Sequence, residues 1–345
     1  MRVFLTGGTG FIGQPLAREL LALGWQVTAL VRNPDGVQAK KLKQMGAELT
    51  GGDVTDRASM RSGMQGADVV VHNAGHYELG VDAAGKQRMQ AINVQGTENV
   101  LSLALELGVG RTVHVSTVQA FGDSGPSARD ETFERTAPCR TTYEQTKTDA
   151  HRIAQDYQRR GLPLIIACPN GVIGPNDHSI WGYFLRLYMM KRMPPMGWQP
   201  ETVYSLVEVN DLARGLALAA EKGRIGETYL FCGEPCSQRQ HLAYWGQRPG
   251  GMKAFIWAPV SLARIMLGSL EPLERMAGLP AFFSRDTVEA GATNWHYSSQ
   301  KAQRELGWTH QSAEQMWLST MDEEIALLAR RPKRDWRARL RPIEM

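Results

Sequence analysis

The stretch Thr6-Gly7-Gly8-Thr9-Gly10-Phe11-Ile12-Gly13 decides how the rest of the chain is read. It follows Arg2–Thr6, a short apolar run of strand character. It opens a segment, 11–23, in which Ile12, Leu16, Leu20 and Leu23 fall on one helical face. Gly7, Gly10 and Gly13 stand in the spacing G-x-x-G-x-x-G. One such glycine permits a tight turn, one lets backbone N–H groups approach a pyrophosphate, and the last lets helix and strand pack closely. The positive end of the helix dipole then faces the phosphates. A glycine motif alone says little; between a strand and a helix it predicts a dinucleotide-binding turn. Gly7, Thr9, Gly10, Phe11, Ile12 and Gly13 are therefore candidate cofactor contacts.

Working outward, strands at 26–31, 47–50, 68–72, 112–116 and 163–167 alternate with helices at 37–45, 57–64, 87–107 and 142–160. Alternation this regular predicts an α/β chain, a doubly wound parallel sheet covered by helices on both faces. Past Pro169 the pattern loosens. Residues 203–207 read as one more strand, 211–221 as a helix and 227–231 as a strand, with the segment 203–232 expected to return to the sheet, and the rest to about Leu328 as mostly helical. The expected division is a dinucleotide-binding domain of 1–168 with about 203–232, a smaller C-terminal substrate lobe of about 169–202 and 233–329, and a basic tail of 330–345.

The end of the second strand discriminates the cofactor. A carboxylate there bonds the ribose 2′-OH of NAD. Here the chain reads Val31-Arg32-Asn33-Pro34, so Arg32 is placed to meet a 2′-phosphate, and NADP is expected ahead of NAD. Asp53 and Val54 suit the adenine edge; Asn73, Ala74 and Gly75 suit the central portion of the cofactor, and Pro169 and Val172 lie past the sixth strand. No metal is expected. His72 and His76 lie across a strand end without a carboxylate beside them, and the C-x-x-x-C pair Cys232 and Cys236 has no partner pair.

Tyr143 and Lys147 are one turn apart on a predicted helix and share a face. A tyrosine works as an acid–base group near neutrality when a neighbouring cation stabilises its phenolate. Lys147 is placed to do this and to bond a nicotinamide ribose. Ser116 ends the fifth strand, where an open α/β sheet binds its ligand, and its hydroxyl is placed to hold a carbonyl or hydroxyl beside Tyr143. Ser116, Tyr143 and Lys147 are the candidate catalytic residues. Trp181, Tyr183, Phe184, Tyr188, Met189 and Met190 either line an apolar pocket or pack as helix core.

Together these segments resemble the extended short-chain dehydrogenase/reductase family, also called the NAD-dependent epimerase/dehydratase family. Further matching segments are Gly52–Asp56, Asn93–Val100, Val172–Pro175, Ser205–Ala213 and Lys301–Trp308. The resemblance implies a Rossmann domain with a small C-terminal substrate domain, Ser116, Tyr143 and Lys147 as catalytic, and Asn93 in support. It also implies a homodimer through the two long helices. Dehydratases of the family typically follow the catalytic hydroxyl residue with an Asp-Glu pair, where this chain has Val118-Gln119. Nucleotide-sugar epimerases usually carry an Asn where Gly171 stands, and Cys168 replaces a frequent Arg. The run Pro169–Pro175 looks more like the dihydroflavonol-reductase and 3β-hydroxysteroid-dehydrogenase-like branches. The expected function is an NADP-dependent reductase or dehydrogenase of a ketone and secondary-alcohol pair on a medium-sized, partly apolar small molecule. The alternatives are a nucleotide-sugar epimerase retaining NAD, and a non-catalytic NADP-sensing protein.

Composition is that of an ordinary globular chain: 345 residues, 43% hydrophobic and 21% charged. The net charge of +4 does not argue for nucleic acid, and four cysteines make no disulfide scaffold. With no signal-like N-terminus, the expected location is cytoplasmic. The apolar segment 254–267 is too short to span a bilayer and is expected as a core helix or a lid. Residues 330–345 hold seven basic groups against two acids, a net of +5, which leaves the rest of the chain at −1. A solvated tail is the expectation for that segment.

Overall fold

The computed structural model describes residues 1–192, 196–248, 256–276, 282–330 and 339–340. Seven strands form the main sheet: β1 Arg2–Thr6, β2 Gln26–Val31, β3 Glu48–Gly51, β4 Val69–His72, β5 Arg111–Val115, β6 Leu164–Pro169 and, much later, β11 Thr228–Phe231. Their order is β11-β6-β5-β4-β1-β2-β3, every pair parallel. The strands read as near-continuous apolar runs because both faces are covered. Val3, Leu5, Val27, Val71 and Val113 pack on one face with Leu16, Leu20, Leu212 and Leu216. These last four belong to α1 Gly13–Ala22 and α8 Val209–Lys222. Phe4, Val70, Leu164 and Ile166 pack on the other face with Met60, Leu101, Leu103 and Tyr157. Those lie on α3 Arg57–Met64, α5 Gly96–Glu106 and α6 Thr142–Arg159. The predicted doubly wound sheet is the observed one, and α2 Val37–Gln44 also forms where expected.

The long helix expected over 87–107 is interrupted. It runs as α4 Ala83–Met89, a π-helical turn at Gln90–Gln95, then α5. The extra residue per turn carries the buried Asn93 inward, where its side chain takes the His76 N–H at 2.7 Å and donates to His76 O at 2.9 Å and Thr146 Oγ1 at 3.1 Å. Such bulges are commonly found at functional sites.

The strand expected over 203–207 is also two pieces, and neither joins the main sheet. β9 Val203–Tyr204 pairs antiparallel with β12 Cys236–Ser237, and β10 Val207–Glu208 pairs parallel with β7 Val172–Ile173. The aromatic stretch forms α7 Ile180–Met189, and β8 Met196–Trp198 pairs with β13 Ile256–Ala258. The remaining helices are α9 Gln238–Trp245, α10 Val260–Met276, α11 Arg285–Gly291, α12 Gln300–Leu306 and α13 Ala313–Ala329. Within the expected core-or-lid segment, α10 buries Ala263 and Leu267 against Trp198 and Val288 but leaves Leu262, Ile265 and Met266 exposed, so it is not a core helix. Among the described residues no helix is long and apolar enough to cross a membrane.

Most of the basic tail lies outside the described residues, but Arg339 and Leu340 correct the expectation of a solvated segment. Leu340 is 2% exposed and packs with Tyr183, Leu187 and Phe282. Its carbonyl accepts from Arg186 Nε at 3.0 Å. Arg186 is itself buried, bonded to Glu324 at 2.9 Å and to Asp177 O at 2.7 Å. Two buried charges held this way need every partner they have, and the tail's carbonyl is one of them.

Candidate active site

The glycine turn takes its shape from three separate demands. Gly7 has a φ of +71°, and a Cβ there would lie 2.7 Å from Ala74 N. A Cβ on Gly13 would lie 2.0 Å from Gly7 O, so α1 can approach β1 only with glycine at that position. Gly10 closes the turn by donating its N–H to Gly7 O at 3.0 Å, and a Cβ there would meet only that oxygen, at 3.2 Å. The side-chain-free approach to the N-terminus of α1 is therefore open, and no acidic residue stands in its first turn. This is what a pyrophosphate requires.

The turn forms one end of a cavity of about 650 Å³ over the carboxyl ends of the strands. Its walls include Gly7, Thr9, Gly10, Phe11, Ile12, Arg32, Asp53, Val54, Asn73, Ala74, Gly75, Ser116, Tyr143, Lys147, Pro169 and Val172. Of the candidate cofactor and catalytic residues, only Gly13 is absent from the wall, because it packs beneath Gly7. Arg32 is exposed and makes no hydrogen bond or ion pair with any described residue. Asp53 Oδ1 accepts from Thr55 N and Oγ1, both at 2.8 Å. Ala74 N donates to Thr6 Oγ1 at 3.1 Å, fixing the strand end beside the turn. The two histidines of this region are otherwise engaged: His72 contacts Thr6 and Thr97, and His76 contacts Glu78.

Thr141 caps the N-terminus of α6, its hydroxyl accepting from Glu144 N, and this start sets Tyr143 and Lys147 on the cavity side. Lys147 Nζ donates to Val115 O at 3.0 Å, at the end of β5. Burial draws its ammonium down to about 8. The Tyr143 hydroxyl makes no hydrogen bond with any described residue, and the Tyr77 ring packs edge-on against its ring at 4.7 Å. Burial raises the phenol above its ordinary value. Lys147 gives one of its three N–H donors to that backbone carbonyl, and burial keeps Tyr143 protonated. Ser116 follows Val115 directly, and its Oγ lies 2.9 Å from His151 Nδ1.

Beyond these residues the cavity is aromatic. Trp181 and Phe184, three residues apart on α7, line it, whereas Tyr183 and Tyr188 are core and Met189 and Met190 pack against core clusters. Sequence reading missed Tyr77, Trp198, Tyr204, Leu206, Leu242, Trp245 and Trp295; Leu242 and Trp245 stand three apart on α9 and Tyr204 and Leu206 two apart, and the others lie on separate segments. Asp177 was missed too. It caps α7, taking N–H groups from Ser179 at 2.7 Å and Gly182 at 3.0 Å, and burial pushes it up to about 6. Arg32 and Lys147 are the only arginine and lysine among the described residues of the wall.

The profile of the NAD dependent epimerase/dehydratase family matches residues 3–232. A Synechocystis protein named for dihydroflavonol 4-reductase is 31% identical over 329 residues, covering 90% of this chain and 91% of its own. The 4-hydroxy-2-methyl-3-oxo-4-farnesyl-3,4-dihydroquinoline-1-oxide ketoreductase of Stigmatella aurantiaca is 30% identical, covering 93% and 96%. Among solved structures, the NAD-bound DesIV double mutant of Streptomyces venezuelae, a dTDP-glucose 4,6-dehydratase, superposes with a TM-score of 0.75 at 24% identity, covering 99% of this chain and 100% of its own. At that identity the likeness shows the Rossmann fold alone. The glycine turn, the parallel sheet and these matches agree, and the chain belongs to the NAD-dependent epimerase/dehydratase family as an NAD(P)-dependent enzyme.

Proposed function

We propose that the protein is an NADPH-dependent ketoreductase acting on a medium-sized, apolar, uncharged ketone. The observation that carries this reading is the cavity wall: Ser116, Tyr143 and Lys147 open onto Tyr77, Trp181, Phe184, Trp198, Trp245 and Trp295, with no arginine or lysine among the described residues at that end. A nucleoside-diphosphate sugar brings a pyrophosphate that needs a cation, and the described substrate half offers none. Dehydration needs an acid–base pair beside the hydroxyl residue. Val118 is buried there and Gln119 is an amide, while Asp177 is occupied as a helix cap.

The glycine turn and Arg32 would hold a nicotinamide dinucleotide, which would supply the hydride. Lys147, which holds the end of β5, would also hold its ribose. Ser116 gives a hydrogen bond to the substrate oxygen. Tyr143, neutral and without a partner, gives its proton to the developing alkoxide. A protonated phenol is the form that reduction requires.

Initial rates of reduced-nicotinamide oxidation with β-tetralone, a steroid ketone and a long-chain methyl ketone test this, with conversion of UDP-glucose to its epimer, followed by chromatography, as the counter-probe. Turnover of a ketone that prefers NADPH and disappears in Tyr143→Phe is expected. Turnover of UDP-glucose alone, by protein that purifies with tightly held NAD, would show the epimerase reading to be correct.

A further inference from the structure

Ser116 has a side-chain neighbour that neither the glycine turn nor the Y-x-x-x-K pattern accounts for. It is His151, one turn beyond Lys147 on the same face of α6, with Nδ1 2.9 Å from Ser116 Oγ. Both residues are buried, and the His151 ring is held edge-on by Phe121 at 5.1 Å. Burial, aided by Lys147, holds His151 down to about 4. At neutral pH the imidazole is therefore uncharged.

A serine hydroxyl has one hydrogen to give and two lone pairs to fill. A neutral imidazole either donates or accepts at Nδ1, depending on its tautomer. Were Nδ1 unprotonated, it would accept the Ser116 hydrogen and leave the hydroxyl with nothing to give a carbonyl. Were Nδ1 protonated, it would fill a lone pair and leave the O–H free to turn toward the cavity that Ser116 lines.

We propose that His151 is a positioning residue, donating Nδ1–H to Ser116 Oγ so that the serine hydrogen is kept free to be given to the substrate oxygen. The inference rests on the ketoreductase reading of the same site. It adds a residue that the family's Ser, Tyr and Lys pattern does not contain, and it fixes which tautomer must be present.

The test is a double-mutant cycle in the full chain, with NADPH and β-tetralone. Ser116→Ala is expected to lower kcat about a hundredfold and His151→Leu about tenfold, with the KM for NADPH unchanged in both. His151→Asn places an amide near the Nδ1 position and is expected to recover part of the loss. The decisive arm is the pair: in the Ser116→Ala background, His151→Leu should do nothing further, because the residue acts only through the hydroxyl. A full tenfold loss in that background would overturn the inference while leaving the ketoreductase reading intact; indifference of turnover to Tyr143→Phe would overturn the reading itself. NMR of isotope-labelled histidine gives a readout free of activity. The ring signal lost in His151→Leu should belong to an Nδ1–H tautomer, and an Nε2–H tautomer would overturn the assignment.

Discussion

Replacing Lys147 by Met should make the enzyme inactive and slightly more stable. The lysine is 6% exposed, and its ammonium falls from 10.5 to about 8 chiefly through burial. That displacement corresponds to about 3 kcal/mol of penalty carried by the folded state whenever the group is charged. Against it stands one hydrogen bond from a charged donor to Val115 O, which contributes ~2 kcal/mol. Met fills similar volume without charge, so Lys147→Met should gain about 1 kcal/mol at pH 7, a rise of ~2 °C in melting temperature. The pH dependence gives the sharper check. Between about 8 and 10.5 the unfolded chain holds this proton and the folded one does not, so wild-type stability rises with pH across that window. Below it the penalty is fully present; above it the penalty is gone. Urea unfolding of both proteins at pH 7 and pH 10 should therefore show the advantage of the variant shrinking and reversing to a deficit set by the lost hydrogen bond. A variant that is less stable by over ~1 kcal/mol at pH 7, or a difference that does not move with pH, would refute the reasoning.

Other sites give simpler expectations. Arg32→Ala removes an unpaired guanidinium from the cavity wall and should raise the KM for NADPH ~10–100-fold while leaving NADH use nearly unchanged; equal losses for both cofactors would argue against a 2′-phosphate contact. Gly13→Ala places a Cβ 2.0 Å from Gly7 O and should destabilise the fold by more than ~1 kcal/mol and abolish cofactor binding, seen by melting and by NADPH fluorescence. Leu340→Ala should cost about 2–4 kcal/mol in urea unfolding, a value out of reach for a solvated tail.

The sheet was legible from sequence because parallel strands buried on both faces are apolar runs, and the glycine turn tells where the first one ends. The cofactor half of the cavity came with it, since those residues sit at strand ends that the motif orders. The π turn was not legible. Its cause is Asn93 reaching a backbone 17 residues away, and helical periodicity carries no trace of that. Residues 203–207 have strand composition, but their partners are β12 and β7 in opposite directions along the chain, so one run splits into two. The substrate wall was half legible. Trp181 and Phe184 share a helical face, whereas Tyr77, Trp198, Trp245 and Trp295 converge only when separate segments fold together. His151 repeats the four-residue step from Tyr143 to Lys147, a periodic signal available in the sequence and overlooked.

The seat of Leu340 bears on how the protein is made and handled. The cluster it completes includes Ile180 and Phe184, which also line the cavity. Synthesis reaches Leu340 long after Ile180 and Phe184, so a nascent chain carries this wall of the cavity for a time without the residue that packs behind it. A fusion partner placed close behind Leu340 would hang beside a buried carbonyl, and catalytic losses in such a preparation should be read first as a wall left unlatched.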